Sequence, residues 1–206
     1  MRLTRPLDHV FDQATKLKVL RVMSATMAEM PVRKIAASAG VSHVQAGAAL
    51  SALGREGVVS RRAAGRALLY RLEPENALVA RMLVPLFEEE RHLRNRLGDE
   101  LARGLEGVAR GVYIYGSVGA ETEGPGSDLD LLVIPAARGG RGIEDRLQRL
   151  ASDVRKDYGF ELAPLVLSLP EVKARYRRRD PLIVAIVERS EPVIGSPLSE
   201  EIAVGR

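Results

Sequence analysis

Apolar positions recur every three or four residues through HVFDQATKLKVLRVMSATMAE, residues 9–29. Phe11, Ala14, Leu17, Leu20, Met23 and Met27 share one face of the amphipathic helix this predicts, and Pro31 marks its outer limit. VRKIAASAG predicts a short second helix closed by Gly40, and Ser42 is suited to cap a third, HVQAGAALSALGREG, that stops at Gly57. The pattern then changes to two short strands, VVSRR and ALLYRL, joined by AAG with Gly65 at the turn. A long helix follows from near Asn76, with Leu78, Met82, Leu86, Leu93, Leu97 and Leu101 as its stripe and Pro85 as a point of kinking. Glu90 and Arg94 form an acid-to-base pair four residues apart that supports it. This helix reads as a connector packing on two domains, or as a dimer seam.

Gly104, Gly107 and Gly111 loosen the chain, and we place a boundary near residue 106. Beyond it GVYIYGS reads as a strand ending at Gly116, and DLDLLVIP as a second strand. IEDRLQRLASDVRKDYG predicts a helix with Ile143, Leu147, Leu150 and Val154 turned inward. LPEVKARYRRRDPLIVAIVERSEPVIGSP reads as helix, break at Pro181, helix, and a closing strand near Val193 and Ile194. The fold class expected is α+β, partitioned as residues 1–75, a connecting helix 76–105, and 106–206.

Composition narrows the function classes. The 206 residues are 46% hydrophobic and 28% charged, as a folded, water-soluble chain requires. No run approaches the roughly 18 apolar residues of a membrane span, and the N-terminus lacks a signal-like apolar stretch. A cytoplasmic protein without membrane partners is expected. The absence of cysteine excludes disulfides and thiolate metal sites. The net charge of +4 is uneven: residues 1–75 hold 12 Lys and Arg against 6 Asp and Glu, and the remainder 19 against 21. A basic N-terminal third suggests a polyanionic partner for that region.

Helix, helix, tight turn, helix and basic hairpin, over about residues 9–75, resemble the winged helix-turn-helix of bacterial regulators. The resemblance implies binding to double-stranded DNA, with the third helix in the major groove. Ser42, His43 and Gln45 would face base edges, and Arg61, Arg62 and Arg66 would sit on the wing near phosphates or the minor groove. The alternative is a winged helix used for dimerisation or protein contacts, its arginines solvated.

The chemistry of the second half lies in YIYGSVGAETEGPGSDLDLLVIP, residues 113–135. Side chains alternate across a strand, so Asp128 and Asp130 project to one face while Leu129 and Leu131 project to the other. Two carboxylates on one face repel unless a cation lies between them, and Mg²⁺ suits such a site because it takes carboxylates, waters and substrate phosphates together. Gly116 lets backbone approach a ligand closely, and Ser117 offers a hydroxyl and an N–H for phosphate.

Gly116-Ser117, ten residues, then Asp128-Leu129-Asp130 in an apolar strand resembles the signature of the polymerase beta-like nucleotidyltransferase superfamily. In size the domain is most similar to the minimal members, including antitoxins that transfer AMP to a toxin partner. The resemblance, over about residues 108–195, implies a C-terminal domain with a small mixed sheet and flanking helices. It also implies nucleoside triphosphate held by Gly116, Ser117 and Ser127, with Ser127 otherwise capping the loop. Mg²⁺ or Mn²⁺ would sit on Asp128 and Asp130. Glu161, in GFELAPLVLSL, stands by position for a third acid that activates the acceptor hydroxyl, or is an exposed strand-end residue. VGAETEG lacks the arginine and glycine many minimal members carry after Gly-Ser. Lys173, Arg175, Arg177, Arg178 and Arg179 read more simply as a solvated helix end than as a polyanion site.

Two functions are therefore expected as alternatives. One is a Mg²⁺-dependent transferase moving a nucleoside monophosphate, AMP by the resemblance, to a protein or nucleic-acid hydroxyl while tethered to a DNA-binding winged helix. The other is a DNA-binding transcriptional regulator whose transferase domain only senses nucleotide or mediates assembly. A toxin-like protein acceptor and a homodimer are the remaining partners considered.

Overall fold

The computed structural model describes residues 4–65, 67–120, 122, 124, 126–136 and 142–203. It divides into two units, Met1–Leu93 with one hydrophobic core and Arg94–Arg206 with two. The chain is of mixed α and β structure, with a winged helix-turn-helix in the first unit.

The first unit begins with α1 (Leu7–Val10) and α2 (Ala14–Thr26), where a single helix over residues 9–29 was expected. The cause is Lys16. This buried residue, only 5% exposed, donates from its ammonium to the His9 carbonyl at 2.7 Å and pairs with Asp12 at 2.8 Å, which fixes a corner at residues 11–13. The inward face of α2 is accordingly Val19, Leu20 and Met23, while Ala14 is exposed. The helix stops short of Pro31 because Met27 turns into the left-handed region at φ 51°.

Next come β1 (Met30–Pro31), α3 (Val32–Ser38) and α4 (His43–Arg55). Strands β2 (Val59–Ala64) and β3 (Ala67–Leu72) form the wing. The sheet order is β1-β3-β2, all antiparallel, with Tyr70 opposite both Met30 and Arg61. The pairing of β1 with β3 was not expected, since two residues give no periodicity to read. Ile35, Leu50, Leu53 and Leu72 close the core with α2.

Asn76 accepts the Leu78 N–H at 2.9 Å and donates to the Gly57 carbonyl at 2.9 Å, starting the long helix. A π-helical turn spans Val79–Leu83, and α5 runs Val84–Leu105. The expected stripe is corrected here. Met82, Leu86 and Leu93 are exposed, whereas Val79, Leu83 and Phe87 are buried in the first core and Leu97, Leu101 and Leu105 in the second. The wider turn precedes Pro85, whose ring in a regular helix would meet the carbonyl four residues back. It shifts the buried face by a residue. Spacings of three and four from Leu83 and Phe87 then pass through Glu90 and Arg94 to Leu97 and Leu101. Glu90 receives Arg21 through two bonds of 2.6 and 2.7 Å, and Arg94 bonds Glu191.

The second unit contains β4 (Ala109–Tyr115), α6 (Gly116–Gly119), β5 (Leu129–Pro135), α7 (Ile143–Tyr158) and β6 (Leu162–Val166). It continues with α8 (Leu169–Arg177), α9 (Pro181–Arg189), β7 (Glu191–Ile194) and α10 (Leu198–Ala203). The sheet is mixed, in the order β6-β5-β4-β7, with β5 and β6 parallel and the other pairs antiparallel. Alternation along β5 gives each face its own core. Leu129, Leu131 and Val133 join Ile143, Leu147, Leu150 and Val154 of α7, while Leu132 and Ile134 join Val172, Ile183 and Ile186 of α8 and α9. The final helix, α10, was not anticipated; it is anchored by Leu198, 2% exposed.

Candidate functional site

In the second unit, β4 and β5 run antiparallel, with Tyr115 opposite Asp130. The chain leaves β4 at Gly116, whose φ of +72° favours glycine. A second constraint is stronger. A Cβ at Gly116 would lie 2.0 Å from Oδ2 of Asp130 and 3.0 Å from its Cγ. The carboxylate thus occupies the space a side chain would need, against the backbone of the turn. Gly116 and Asp130 form one constellation.

Asp130 shares the period-2 face of Leu132 and Ile134, toward α8 and α9, and Asp128 is the next position on that face. Asp128 is exposed and Asp130 half-buried. Burial, and then the charge of Asp128, push the Asp130 carboxyl above its ordinary value. Burial and Asp130 likewise raise the Tyr115 phenol. The neighbouring charge of Asp128 thus disfavours the ionised form of Asp130.

Hydrogen bonds among its described residues tie the connecting segment. The Ser117 carbonyl accepts the Thr122 N–H at 2.9 Å, and Ser127 Oγ accepts the Gly124 N–H at 3.0 Å while the Ser127 N–H returns to the Gly124 carbonyl at 3.0 Å. Ser127 thus caps the loop, as one of its two expected roles has it. Ser117 is half-buried in the first turn of α6.

Glu161 immediately precedes β6. Its carbonyl accepts the Leu129 N–H at 2.8 Å, which places its backbone beside Asp128. Its side chain is turned to Arg155, with Nε–Oε1 at 3.1 Å, and is 60% exposed. Among the described residues, no three His, Asp or Glu side chains converge as a metal centre would. The sequence-expected acids are thus split: Asp128 and Asp130 lie together, and Glu161 stands apart in an ion pair. Arg175, Arg177, Arg178 and Arg179 are exposed at the end of α8, as a solvated helix end requires.

In the first unit, Ser42 and Gln45 form a capping box at the start of α4. The Gln45 N–H donates to Ser42 Oγ at 3.2 Å, and the Ser42 N–H to Gln45 Oε1 at 3.0 Å. Their acceptor oxygens are occupied by the backbone. His43 is exposed and lines a cleft of about 690 Å³ with Val32, Arg33, Gly47, Leu68 and Tyr70. The outward stripe of α4 is Val44, Ala48, Ser51 and Arg55, all exposed, opposite the buried Ala46, Ala49, Leu50 and Leu53. Sequence reading passed over Val44, although the same period that buries Ala46, Ala49 and Leu50 turns it outward.

On the wing, Arg61 is exposed, whereas Arg62 is held by Glu29 through several bonds, among them Nε–Oε1 at 2.7 Å. That pairing holds the Glu29 carboxyl below its ordinary value. Arg66 lies outside the described residues.

No family model matches the chain, and no curated protein does. Among solved structures it is similar to a homodimeric winged helix-turn-helix DNA-binding fragment, residues 1–100, from Mycobacterium bovis, a possible ArsR-family regulator. The solution structure is 23% identical, with a TM-score of 0.34, over 44% of this chain and 77% of the other. The crystal form of that fragment is 24% identical, with a TM-score of 0.33, over 46% and 99%. A toxin–antitoxin structure with AMP-PNP is 14% identical, with a TM-score of 0.35, over 52% and 84%. No helix among the described residues is long and apolar enough to cross a membrane.

Proposed function

We propose that the second unit is a nucleotidyltransferase domain and the first a DNA-binding winged helix. The observation that carries the first half is the Gly116–Asp130 contact: a left-handed glycine whose missing side chain makes room for one of two same-face carboxylates. A purely structural acid at a strand head would not need such a neighbour. The donor set fits a hard divalent cation, Mg²⁺ or Mn²⁺, which takes carboxylate oxygens. Asp128 and Asp130 would hold it. When bound, the ion would neutralise charge on the triphosphate of ATP or another NTP.

Gly116 would let phosphate oxygens approach the backbone, and the Ser117 hydroxyl and N–H would orient them. Tyr115, opposite Asp130, walls the site on the β4 side. The acceptor would be a hydroxyl of a protein, such as a toxin-like partner, or of a nucleic acid. The basic N-terminal third, with exposed Arg61 and an acid-free α4, supports the DNA half of the reading. Such a protein would work in the cytoplasm.

The test is calorimetric titration with each NTP and Mg²⁺, comparing the unaltered chain with Asp128→Ala/Asp130→Ala. Metal-dependent binding abolished by the double substitution is expected. No binding by the unaltered chain would sink the transferase reading.

One observation favours a second reading, a DNA-binding regulator that binds nucleotide without turning it over. Glu161 is committed to Arg155 and stands outside the aspartate pair. Binding without release of pyrophosphate, in the presence of candidate protein and RNA acceptors, would separate this reading from the first.

A further inference from the structure

Within the DNA-binding reading, on which this step rests, the surface of α4 is unusual for what it lacks. A helix that meets only phosphates would present lysine and arginine outward, yet the outward stripe begins Val44, Ala48, Ser51 and reaches a cation only at Arg55. Val44 is 79% exposed, the highest value among the exposed large hydrophobic side chains of the described residues. Two of the groups that would form polar contacts nearby are held back, since Ser42 Oγ and Gln45 Oε1 are both bonded to the helix backbone, and His43 alone of the three stays exposed beside Val44 with its ring uncommitted to the cap. One turn along, a Cβ on Gly47 would meet nothing within 4 Å.

The charge lies around this stripe. Arg33 and Lys34 of α3, Arg55 at the end of α4 and Arg61 of β2 are all exposed, and α4 carries no acidic residue. Peripheral cations suit a phosphate backbone on either side, and a narrow stripe of small side chains lets the helix enter a groove closely. What an aliphatic side chain can recognise on the floor of the major groove is the thymine 5-methyl, the apolar mark among the base edges there. We infer that Val44 is a specificity-determining residue that packs on a thymine methyl group.

The test uses the full chain. Duplexes are selected from a randomised library at low salt, and the selected duplex is remade with deoxyuridine at each thymine in turn, removing only the methyl group. At one thymine the replacement should weaken binding about fourfold, the worth of one methyl group withdrawn from water. In Val44→Ala that sensitivity should vanish, and in Val44→Thr, which keeps a γ-methyl, it should persist. Circular dichroism of both variants should match the unaltered chain, because the side chain is exposed. Failure to bind any duplex would overturn the DNA-binding reading and this inference together. Salt-dependent binding in which uridine is neutral everywhere, or costs as much in Val44→Ala as in the unaltered chain, would overturn the assignment of Val44 alone.

Discussion

The turn at Gly116 and the outward face of α4 treat charge in opposite ways. The first gathers two carboxylates on one strand face, half-buries one, and clears space for it with a glycine. The second removes charge from the centre of a helix face and leaves it to residues at the margin. In the proposed reading, the first would be a site for a cation and phosphates, which needs charges fixed before the ligand arrives and so an over-determined geometry. The second, if it reads base edges as proposed, needs close approach, which small side chains allow.

The largest expected effect tests the over-determination. Gly116→Ala and Gly107→Ala both place a side chain at positive φ, +72° and +76°, but only at Gly116 would the new Cβ strike another group. That group is the end of the Asp130 side chain, which can rotate away. Both variants should therefore lose a similar stability, about 1 kcal/mol from the left-handed backbone. Only Gly116→Ala should also lose Mg²⁺–nucleotide binding, by roughly a hundredfold, as the carboxylate is displaced. Equal binding by the two variants in calorimetry would show that the contact has no bearing on the site.

The next effect is on the wing. Arg61 and Arg62 are adjacent, yet Arg62 is already neutralised by Glu29. Arg61→Ala should weaken duplex binding several-fold and lower the slope of log K against log salt by about 1. Arg62→Ala should do less, and Glu29→Gln should strengthen binding by freeing Arg62. Equivalent losses for the two arginines, measured by fluorescence anisotropy across a salt series, would remove the distinction between them.

These contrasts also explain what could be read from the sequence. The α4 cap, the hairpin, β4, β5 and α7 were legible because each follows a simple period bounded by a recognisable stop. The aspartate pair was legible because period-2 alternation puts both acids on one face. Two things were not. The buried face of the long helix shifts at the π turn and is interrupted by exposed Glu90 and half-buried Arg94, so a search for apolar residues at helical spacing selected exposed Met82, Leu86 and Leu93. Rotamers were equally hidden: strand register brings the Glu161 backbone to Asp128, but only the side-chain contact with Arg155 reveals where its carboxylate goes.

A smaller effect concerns stability without metal. Asp130 is half-buried beside a like charge, so Asp130→Asn should raise the stability of the chain in EDTA slightly while abolishing any stabilisation by Mg²⁺. Thermal melts with and without the ion read both terms. An acid placed there only for structure would give the opposite sign, a loss of stability in EDTA.

The smallest effect is the counterpart of that one, a charge that has its partner. The side-chain hydrogen bonds from Arg21 hold the Glu90 carboxyl below its ordinary value of 4.5. A carboxyl with a depressed folded-state pKa contributes stability that is fully present above its unfolded value and disappears as the pH falls through the folded one. Both partners are about two-fifths exposed, so solvent screening limits the pair to about 0.5 kcal/mol. Glu90→Gln should therefore melt slightly earlier than the unaltered chain at pH 7, and the two should converge below the folded pKa of Glu90. The sign is opposite to that expected of Asp130, whose removal relieves a repulsion. If both substitutions shift stability the same way at neutral pH, the distinction between charge stored for a ligand and charge already satisfied within the fold fails for this protein.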